Sequence, residues 1–355
     1  MGRAFEGRRA VQVPSTLSGS RRSATVIVCG NVPGPRYRGR DERDAMTNGF
    51  TRRGWLLFGA MAILWGLPYL FIKEAVDTIA PAAVVCGRTL IGALVLLPFA
   101  IRSGALRTAL KHWPWVLAFG LIEMAVPFLL LGTAEQTLPS GLTGLLVATV
   151  PLFGTLIAIG GGDRTAVRPL RIIGLLLGFA GVAVVVYGSG IGTSGTAALW
   201  AVGMVLTVGL FYAIAPFVID RKLRDVPSIG SITLALLMIG IGYLPAALMT
   251  QHQLPSLRSG GSLLLLGLLC TALAFLAFFA LIREVGPVNA PLFTYINPVV
   301  ALLLGSLLLG EHLGVGLLIG APIVLVGCWL AATGGRLRPR RTAPVSPEDE
   351  AVEVR

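Results

Sequence analysis

Ten long apolar runs constrain the fold of this chain more than any other feature of its sequence. Each is close to the ~20 residues that an α-helix needs to cross a hydrocarbon core ~30 Å thick. The runs are roughly Trp55–Ile72, Ala82–Ile101, Trp113–Thr133, Pro139–Gly160, Leu170–Tyr187, Ala197–Ile219, Ile229–Met249, Leu263–Ile282, Val288–Leu309 and Val315–Ala332. We expect an all-α polytopic membrane protein with ten transmembrane helices, because an apolar helix satisfies its own backbone in lipid.

The scarcity of charge in the same region excludes a soluble protein. The 355 residues include 46 charged ones, yet only 22 of them lie in residues 54–333. A soluble body of that size would have roughly three times as many. The net charge of +12 would suit a nucleic acid, but the cations concentrate in the chain ends and in loops on one side. We therefore expect the lipid bilayer, and not nucleic acid, as the partner.

The distribution of Lys and Arg predicts the orientation of the chain. The residues that flank the runs on one side of the membrane, from Arg52 to Arg341, include 16 Lys and Arg, and the flanks on the other side have only Lys73 and Arg258. Positive residues concentrate in cytoplasmic loops. We therefore expect a multi-pass protein of the cytoplasmic (inner) membrane with both termini in the cytoplasm.

The composition of the two chain ends predicts disorder. Residues 1–53 are rich in Arg, Gly and Pro and have no helical periodicity, so we expect a disordered basic arm. Met46 begins a compact start directly before the first run, so residues 1–45 are either a disordered arm of the protein or an artefact of an upstream start codon. Residues 334–355 are first basic and then acidic, which predicts a disordered cytoplasmic tail.

The two halves of the apolar region resemble each other at an offset of 147 residues. The related pairs are Trp65 and Tyr212, Pro98 and Pro245, and Pro151 and Pro298. Each half, 54–187 and 196–333, has five runs, and because five is odd the second half crosses the membrane in the opposite sense. Two inverted repeats around a central site are the architecture of secondary transporters.

Several short motifs indicate a family. They are Leu64-Trp65-Gly66 and Phe71-Ile72-Lys73 in the first run, Pro81 and Arg88 in the second, Ala134 to Pro151 across the third-to-fourth turn, and Asn297-Pro298 with Gly310-Glu311 in the ninth. With these motifs, residues 54–333 resemble the EamA-type transporters of the drug/metabolite transporter superfamily. One departure is Asp163, which stands where that family usually has Glu.

The resemblance implies ten helices with both ends in the cytoplasm and a central cavity between helices one to four and six to nine. It implies transport of small metabolites, whose range covers amino acids, nucleosides, sugars and drugs. It names neither the substrate nor the coupling ion, and a monomer and a homodimer both stay open.

Two charged residues lie deep within the runs, Arg88 in the second and Glu123 near the middle of the third. A lone charge at the bilayer centre costs at least ~2.5–3.5 kcal/mol, so such residues usually face a cavity or a partner. One interpretation is a buried Arg88–Glu123 ion pair that only joins two neighbouring helices. The other is that these residues bind a charged group of the substrate, or that Glu123 binds a coupling proton.

A second group of candidate substrate-binding residues is aromatic or polar: Trp65, Tyr69, Tyr212, Thr294, Tyr295 and Asn297. Aromatic walls with a few polar groups suit organic substrates, and ordinary helix packing is the alternative for each residue. Pro298 should also free the carbonyl of Thr294, four residues earlier, for use by a cavity.

The sequence has no catalytic triad, no metal-ligand spacing and no phosphate-binding Gly loop, so we expect neither an enzyme nor a cofactor or metal. We expect a secondary transporter that moves a small-molecule substrate, a metabolite or a drug, by alternating access, with proton coupling as one option. A uniporter or exchanger without ion coupling is an alternative. A non-catalytic membrane scaffold or a lipid-acting membrane enzyme is another, which the internal repeat disfavours.

Overall fold

The computed structural model describes residues 51–163, 166–190, 195–286 and 289–335. The start at Met46, most of the N-terminal arm and most of the C-terminal tail lie outside these residues. In the described part of the chain, ten helical spans are long and apolar enough to cross a membrane, which confirms the all-α fold. We number them α1 (Arg52–Ala75), α2 (Pro81–Arg102), α3 (Trp113–Glu135), α4 (Ser140–Gly160), α5 (Pro169–Gly188), α6 (Thr196–Lys222), α7 (Ser228–Thr250), α8 (Leu257–Val285), α9 (Ala290–Leu309) and α10 (Val315–Thr333).

Several spans are longer than the apolar runs because their terminal turns are polar. The clearest case is α8, which begins at Leu257, whereas the apolar run begins at Leu263. Ser256 caps this helix, since its hydroxyl accepts a hydrogen bond from the Ser259 backbone N–H at 3.1 Å. Hydropathy detects only the part of a helix that lies in hydrocarbon, so it misses such capped ends.

Helices α5 and α10 pack side by side through glycines on both helices. A Cβ at Gly181 would lie 2.7 Å from the Val324 backbone nitrogen, too close for a real side chain. The pair also contacts α4, where the Thr155 hydroxyl donates to the Ala331 carbonyl at 3.2 Å. Small residues permit this close backbone approach, and the α5–α10 pair supports α4 from one side.

Interruptions in the helices repeat between the two halves. Helix α3 has a π-helical turn at Leu121–Ala125, and α8 has one at Leu268–Leu273, so the two turns begin 147 residues apart. Helix α4 breaks before Val150 and α9 breaks before Asn297, with a proline in the first turn of each new segment. These breaks are separated by the same offset. The repeat seen in the sequence is therefore also a repeat of helix irregularities, which redirect the side chains beyond them.

Hydrogen bonds tie the helices together at one end of the bundle, which we call the Lys73 end. There α1 meets α3, because Lys73 Nζ donates to the backbone carbonyls of Glu135 at 2.6 Å and of Leu138 at 3.0 Å. The two repeats also meet at this end, where Gln251 Oε1 accepts a hydrogen bond from the Ala80 N–H at 2.7 Å. The connections at this end therefore hold the halves close together.

The first half of α4 seals the Lys73 end. Every residue of Ser140–Val147 is buried, and α9 packs along this segment. Glu311, which follows α9, accepts hydrogen bonds from the Ser140 N–H at 2.7 Å and the Gly141 N–H at 3.0 Å. The carboxylate thus satisfies N–H groups at a helix start, at the positive end of the helix dipole. Most of the second half of α4, Val150–Gly160, is not buried, so the two ends of the bundle differ.

Candidate functional site

A cavity of about 290 Å³ lies between the two halves, close to the lower limit of the ~300–1,000 Å³ typical of small-molecule sites. Its wall comes from α1 to α4, α6, α8 and α9, whereas α7 packs along α2 instead. The structure brings all eight sequence-derived candidates to this wall: Trp65, Tyr69, Arg88, Glu123, Tyr212, Thr294, Tyr295 and Asn297. That they bind a substrate stays a prediction. Among the described residues, no group of three or more His, Cys, Asp or Glu side chains could hold a metal ion.

Arg88 brings a positive charge to the cavity wall from α2. The residue is 5% exposed, and its guanidinium carbon lies 3.7 Å from the centre of the Phe128 ring, a cation–π contact. Its Nη2 lies 3.5 Å from the Thr271 hydroxyl, at the limit of a hydrogen bond. Its Nε has no hydrogen-bond partner among the described residues. A buried guanidinium with unused donors suits a planar anion such as a carboxylate.

Glu123 brings a carboxyl group to the same wall from the π turn of α3. Of the two interpretations, the direct Arg88–Glu123 ion pair was wrong, because no salt bridge within 4.0 Å joins the two side chains in the described structure. Arg88 instead contacts Phe128, which lies five residues beyond Glu123 on α3. Five residues correspond to ~7.5 Å along a helix, so the two charges lie at different depths. The cavity wall therefore has a guanidinium group and a carboxyl group that do not contact each other directly.

The aromatic part of the wall lies around Trp65, at the break in α1. Its ring centre lies 5.8 Å from that of Phe275, 5.1 Å from that of Phe278 and 5.4 Å from that of Phe293. Tyr212, the residue related to Trp65 by the repeat, also lines the cavity. Both halves therefore contribute aromatic surface, which suits the apolar part of an organic molecule.

Asn297 joins two helix interruptions beside the cavity. With its amide nitrogen oriented towards acceptors, it donates to the carbonyls of Ala62 and Phe293, both at 3.2 Å. Ala62 precedes the break in α1, and Phe293 belongs to the 3₁₀ segment Ala290–Tyr295 that opens α9. Asn297 therefore has a structural role at the two breaks in addition to its place on the cavity wall.

Two features of the site are missing from the sequence interpretation. The first is the pair of π turns, since a uniformly apolar run shows no sign of an extra residue in one turn. The second is Glu135. The predicted third run ends at Thr133 and leaves Glu135 in a connection, whereas the structure makes it the last residue of α3 and buries it completely. A carboxylate between an apolar run and Leu138-Pro139 was the signal that could have found it.

Comparison with known proteins gives these features a family context. The model of the EamA-like transporter family matches residues 52–187 and 199–333. The uncharacterized inner membrane transporter YedA of Escherichia coli (strain K12) is 30% identical over 298 residues, which cover 81% of this chain and 95% of the relative. The uncharacterized transporter YvbV of Bacillus subtilis (strain 168) is 27% identical over 306 residues, covering 84% and 97% of the two chains.

A more distant relative is a probable terminal-alkyne amino-acid exporter of Streptantibioticus cattleyicolor, 24% identical over 79% of this chain and 91% of the relative. One crystal structure has the same fold, with a TM-score of 0.57 and 19% sequence identity over 80% of this chain and 99% of that chain. The two matched domains cover both halves of the ten-helix bundle, and the similarity to YedA extends over nearly its whole length. The chain is therefore a membrane transporter and belongs to the EamA-like transporter family.

Proposed function

We propose that this protein is a secondary transporter that moves a small organic solute across the cytoplasmic membrane by alternating access. The observation that supports this most directly is the cavity between the two repeats, to which both halves contribute and which contains Arg88 and Glu123 as separate charges. In an inverted repeat, the two halves can exchange conformations and open such a site first to one side and then to the other.

We assign the Lys73 end to the outer side of the membrane. This assignment rests on the Lys/Arg count, which gives that side only Lys73 and Arg258. The hydrogen bonds at this end and the buried first half of α4 close it, whereas most of the second half of α4 is not buried. The structure then corresponds to an outward-closed state, with both termini in the cytoplasm.

The chemistry of the cavity favours a solute with an anionic group, a cationic group and an apolar part, as in an α-amino acid. Arg88 would bind the carboxylate, because its Nε is without a partner among the described residues. Glu123 would bind the ammonium group, and the aromatic wall around Trp65 would contact the side chain. The relative named as a probable amino-acid exporter supports the same solute class.

Counterflow in proteoliposomes tests this proposal with L-phenylalanine, uridine and ethidium, which represent an amino acid, a nucleoside and a cationic drug. We expect saturable exchange of L-phenylalanine. Arg88→Gln should raise its KM about 10–100-fold, because a hydrogen bond to a charged group contributes ~1.5–3 kcal/mol. Arg102→Gln is the matched control, since Arg102 is exposed at the end of the same helix and should leave KM unchanged.

The outcomes separate the solute class from the transport function. Exchange of uridine or ethidium without L-phenylalanine would reject the amino-acid-like solute and keep the transporter. If the folded protein exchanged none of the three, both the amino-acid-like solute and the proposed exchange through this cavity would be rejected.

A further inference from the structure

A second polar site lies one helical turn beyond the cavity, at the Lys73 end. Tyr69 on α1 and Leu131 on α3 both line the cavity. Lys73 and Glu135 follow them on the same two helices, each four residues later. Four residues are about one turn, or ~6 Å. Two different helices therefore place Lys73 and Glu135 between the cavity and the closed end of the bundle.

The Glu135 carboxyl group is enclosed without a partner. Its residue is 0% exposed, and neither side-chain oxygen has a hydrogen-bond partner among the described residues. The nearby Lys73 amine donates to two backbone carbonyls instead and forms no salt bridge with this carboxyl group within 4.0 Å. An ionised carboxylate without a partner is very costly to bury, and a neutral carboxyl group costs far less.

The charged and titratable groups that act on Glu135 come from three other elements. Lys73 and Tyr69 belong to α1, Arg88 belongs to α2, and Glu311 follows α9. Glu311 already accepts two hydrogen bonds from the start of α4, and Arg88 contacts an aromatic ring of the cavity wall. Lys73 is thus the cation beside Glu135 that could change its partners from backbone carbonyls to the carboxylate.

We propose that Glu135 is the proton-binding group that couples transport to a proton gradient, an inference that rests on the proposed transport function. In the closed arrangement, the proton is bound to a Glu135 carboxyl oxygen. When the Lys73 end opens, water enters, the proton passes from that oxygen to water, and the carboxylate pairs with the Lys73 ammonium group. When this end closes again, the ammonium group returns to the two carbonyls, and the carboxylate takes a proton from water in the cavity, which is then open to the opposite solution.

Proton exchange with the solution on the opposite side of the membrane from the Lys73 end runs through Tyr69. This residue lines the cavity and interacts electrostatically with both Glu135 and Arg88. In this cycle its hydroxyl group, which forms no hydrogen bond with Glu135 in the described structure, rotates to the carboxyl group and passes a proton between Glu135 and water in the cavity while the Lys73 end is closed. The carboxyl group then exchanges its proton with one solution at a time, and Glu123 remains available to the solute.

The test uses the full chain in proteoliposomes and the variant Glu135→Gln. For each of L-phenylalanine, uridine and ethidium, we compare counterflow, accumulation driven by a pH gradient, and solute-induced proton flux reported by an entrapped pH dye. In the wild type we expect all three activities for the transported probe. Glu135→Gln should retain counterflow but lose both gradient-driven accumulation and proton flux.

Two further variants keep the test decisive. Glu135→Asp retains a carboxyl group and should recover proton flux, which a purely structural role of the side chain does not predict. Asp77→Asn removes an exposed carboxylate at the same end, in the connection after α1, and should keep proton flux. Gradient-driven accumulation that persists in Glu135→Gln, or a wild type that exchanges solute without proton flux, would overturn the inference and leave the transport function in place.

A spectroscopic readout needs no solute. Infrared difference spectra of the reconstituted protein should contain a carbonyl band of a protonated carboxylic acid that is absent from Glu135→Gln and present in Glu123→Gln. Identical spectra of the wild type and Glu135→Gln would overturn the inference. If none of the three probes is exchanged, the transport proposal fails, and this band still decides whether Glu135 binds a proton.

Discussion

Arg88 and Glu123 show how two deep charges can share a cavity without forming a pair. Arg88 is stabilised by the Phe128 ring, a contact whose contribution is about 0.5–2 kcal/mol. Removing one partner of a true buried pair typically costs ~3–5 kcal/mol, because the remaining charge is uncompensated. Since the two side chains do not contact each other, that penalty does not apply to them as a pair. Their opposite charges are left for a solute that has both.

The absence of a direct contact leads to a prediction about stability. The losses in unfolding free energy caused by Arg88→Gln and Glu123→Gln should add in the double variant to within about 0.5 kcal/mol, as for independent sites. Unfolding in mixed micelles without solute measures this double-mutant cycle. A coupling of about 2 kcal/mol or more would indicate that the ion pair forms after all.

At the scale of helices, the interruptions determine what faces the cavity. A π turn adds one residue to a helix, so the segment beyond it is rotated by ~100° relative to an uninterrupted helix. In α3 this turn is Leu121–Ala125, and both Phe128 and Glu135 follow it. The contact of Phe128 with Arg88 and the burial of Glu135 therefore depend on an irregularity within an otherwise apolar helix.

The start of α4 depends on a carboxylate from the other repeat. Glu311→Gln should lower the unfolding free energy by about 1–2 kcal/mol, because a neutral amide accepts more weakly than a carboxylate and no longer interacts as an anion with the helix dipole. The Tm in detergent should fall accordingly. Asp225→Asn is the control, since Asp225 is an exposed acidic residue in the connection before α7. An equal Tm for the wild type and Glu311→Gln would show that the cap contributes little.

At the scale of the whole molecule, the odd number of spans in each half relates the two repeats by inversion. Matching irregularities occur at the same offset in both halves, but the charges do not follow the repeat. Glu123 corresponds to Cys270, and Arg88 corresponds to Ala235. The framework is therefore symmetric, whereas Arg88 and Glu123 of the cavity and the neighbouring Lys73 and Glu135 all come from the first half. The first half can therefore contribute the charged groups that bind solute and proton, while both halves change conformation during transport.

The orientation of the whole molecule can be tested with reporters. A fluorescent protein fused after Arg355 should be fluorescent, and alkaline phosphatase at the same position should be inactive, because the Lys/Arg distribution predicts a cytoplasmic C-terminus. Phosphatase inserted in the connection between α7 and α8 should be active and serves as the control. The reverse pattern would place the Lys73 end in the cytoplasm and contradict the outward-closed assignment.

The sequence alone determined the ten spans, the two related halves and eight of the residues that line the cavity. The spans follow from the hydropathy of some 20 consecutive residues, and the orientation follows from the number of Lys and Arg in each loop. Both quantities are added up along the chain, so neither depends on how the helices pack. The proline positions and the repeat offset likewise identified the breaks in α4 and α9 as corresponding points.

Only the tertiary structure decided which partner each polar group has. Arg88 contacts Phe128 and not Glu123, Glu311 caps α4, and Glu135 is enclosed beside Lys73. These contacts depend on the depth and rotation of each helix relative to its neighbours. Both are controlled by π turns, proline breaks and close glycine packing, which a run of uniformly apolar residues does not reveal.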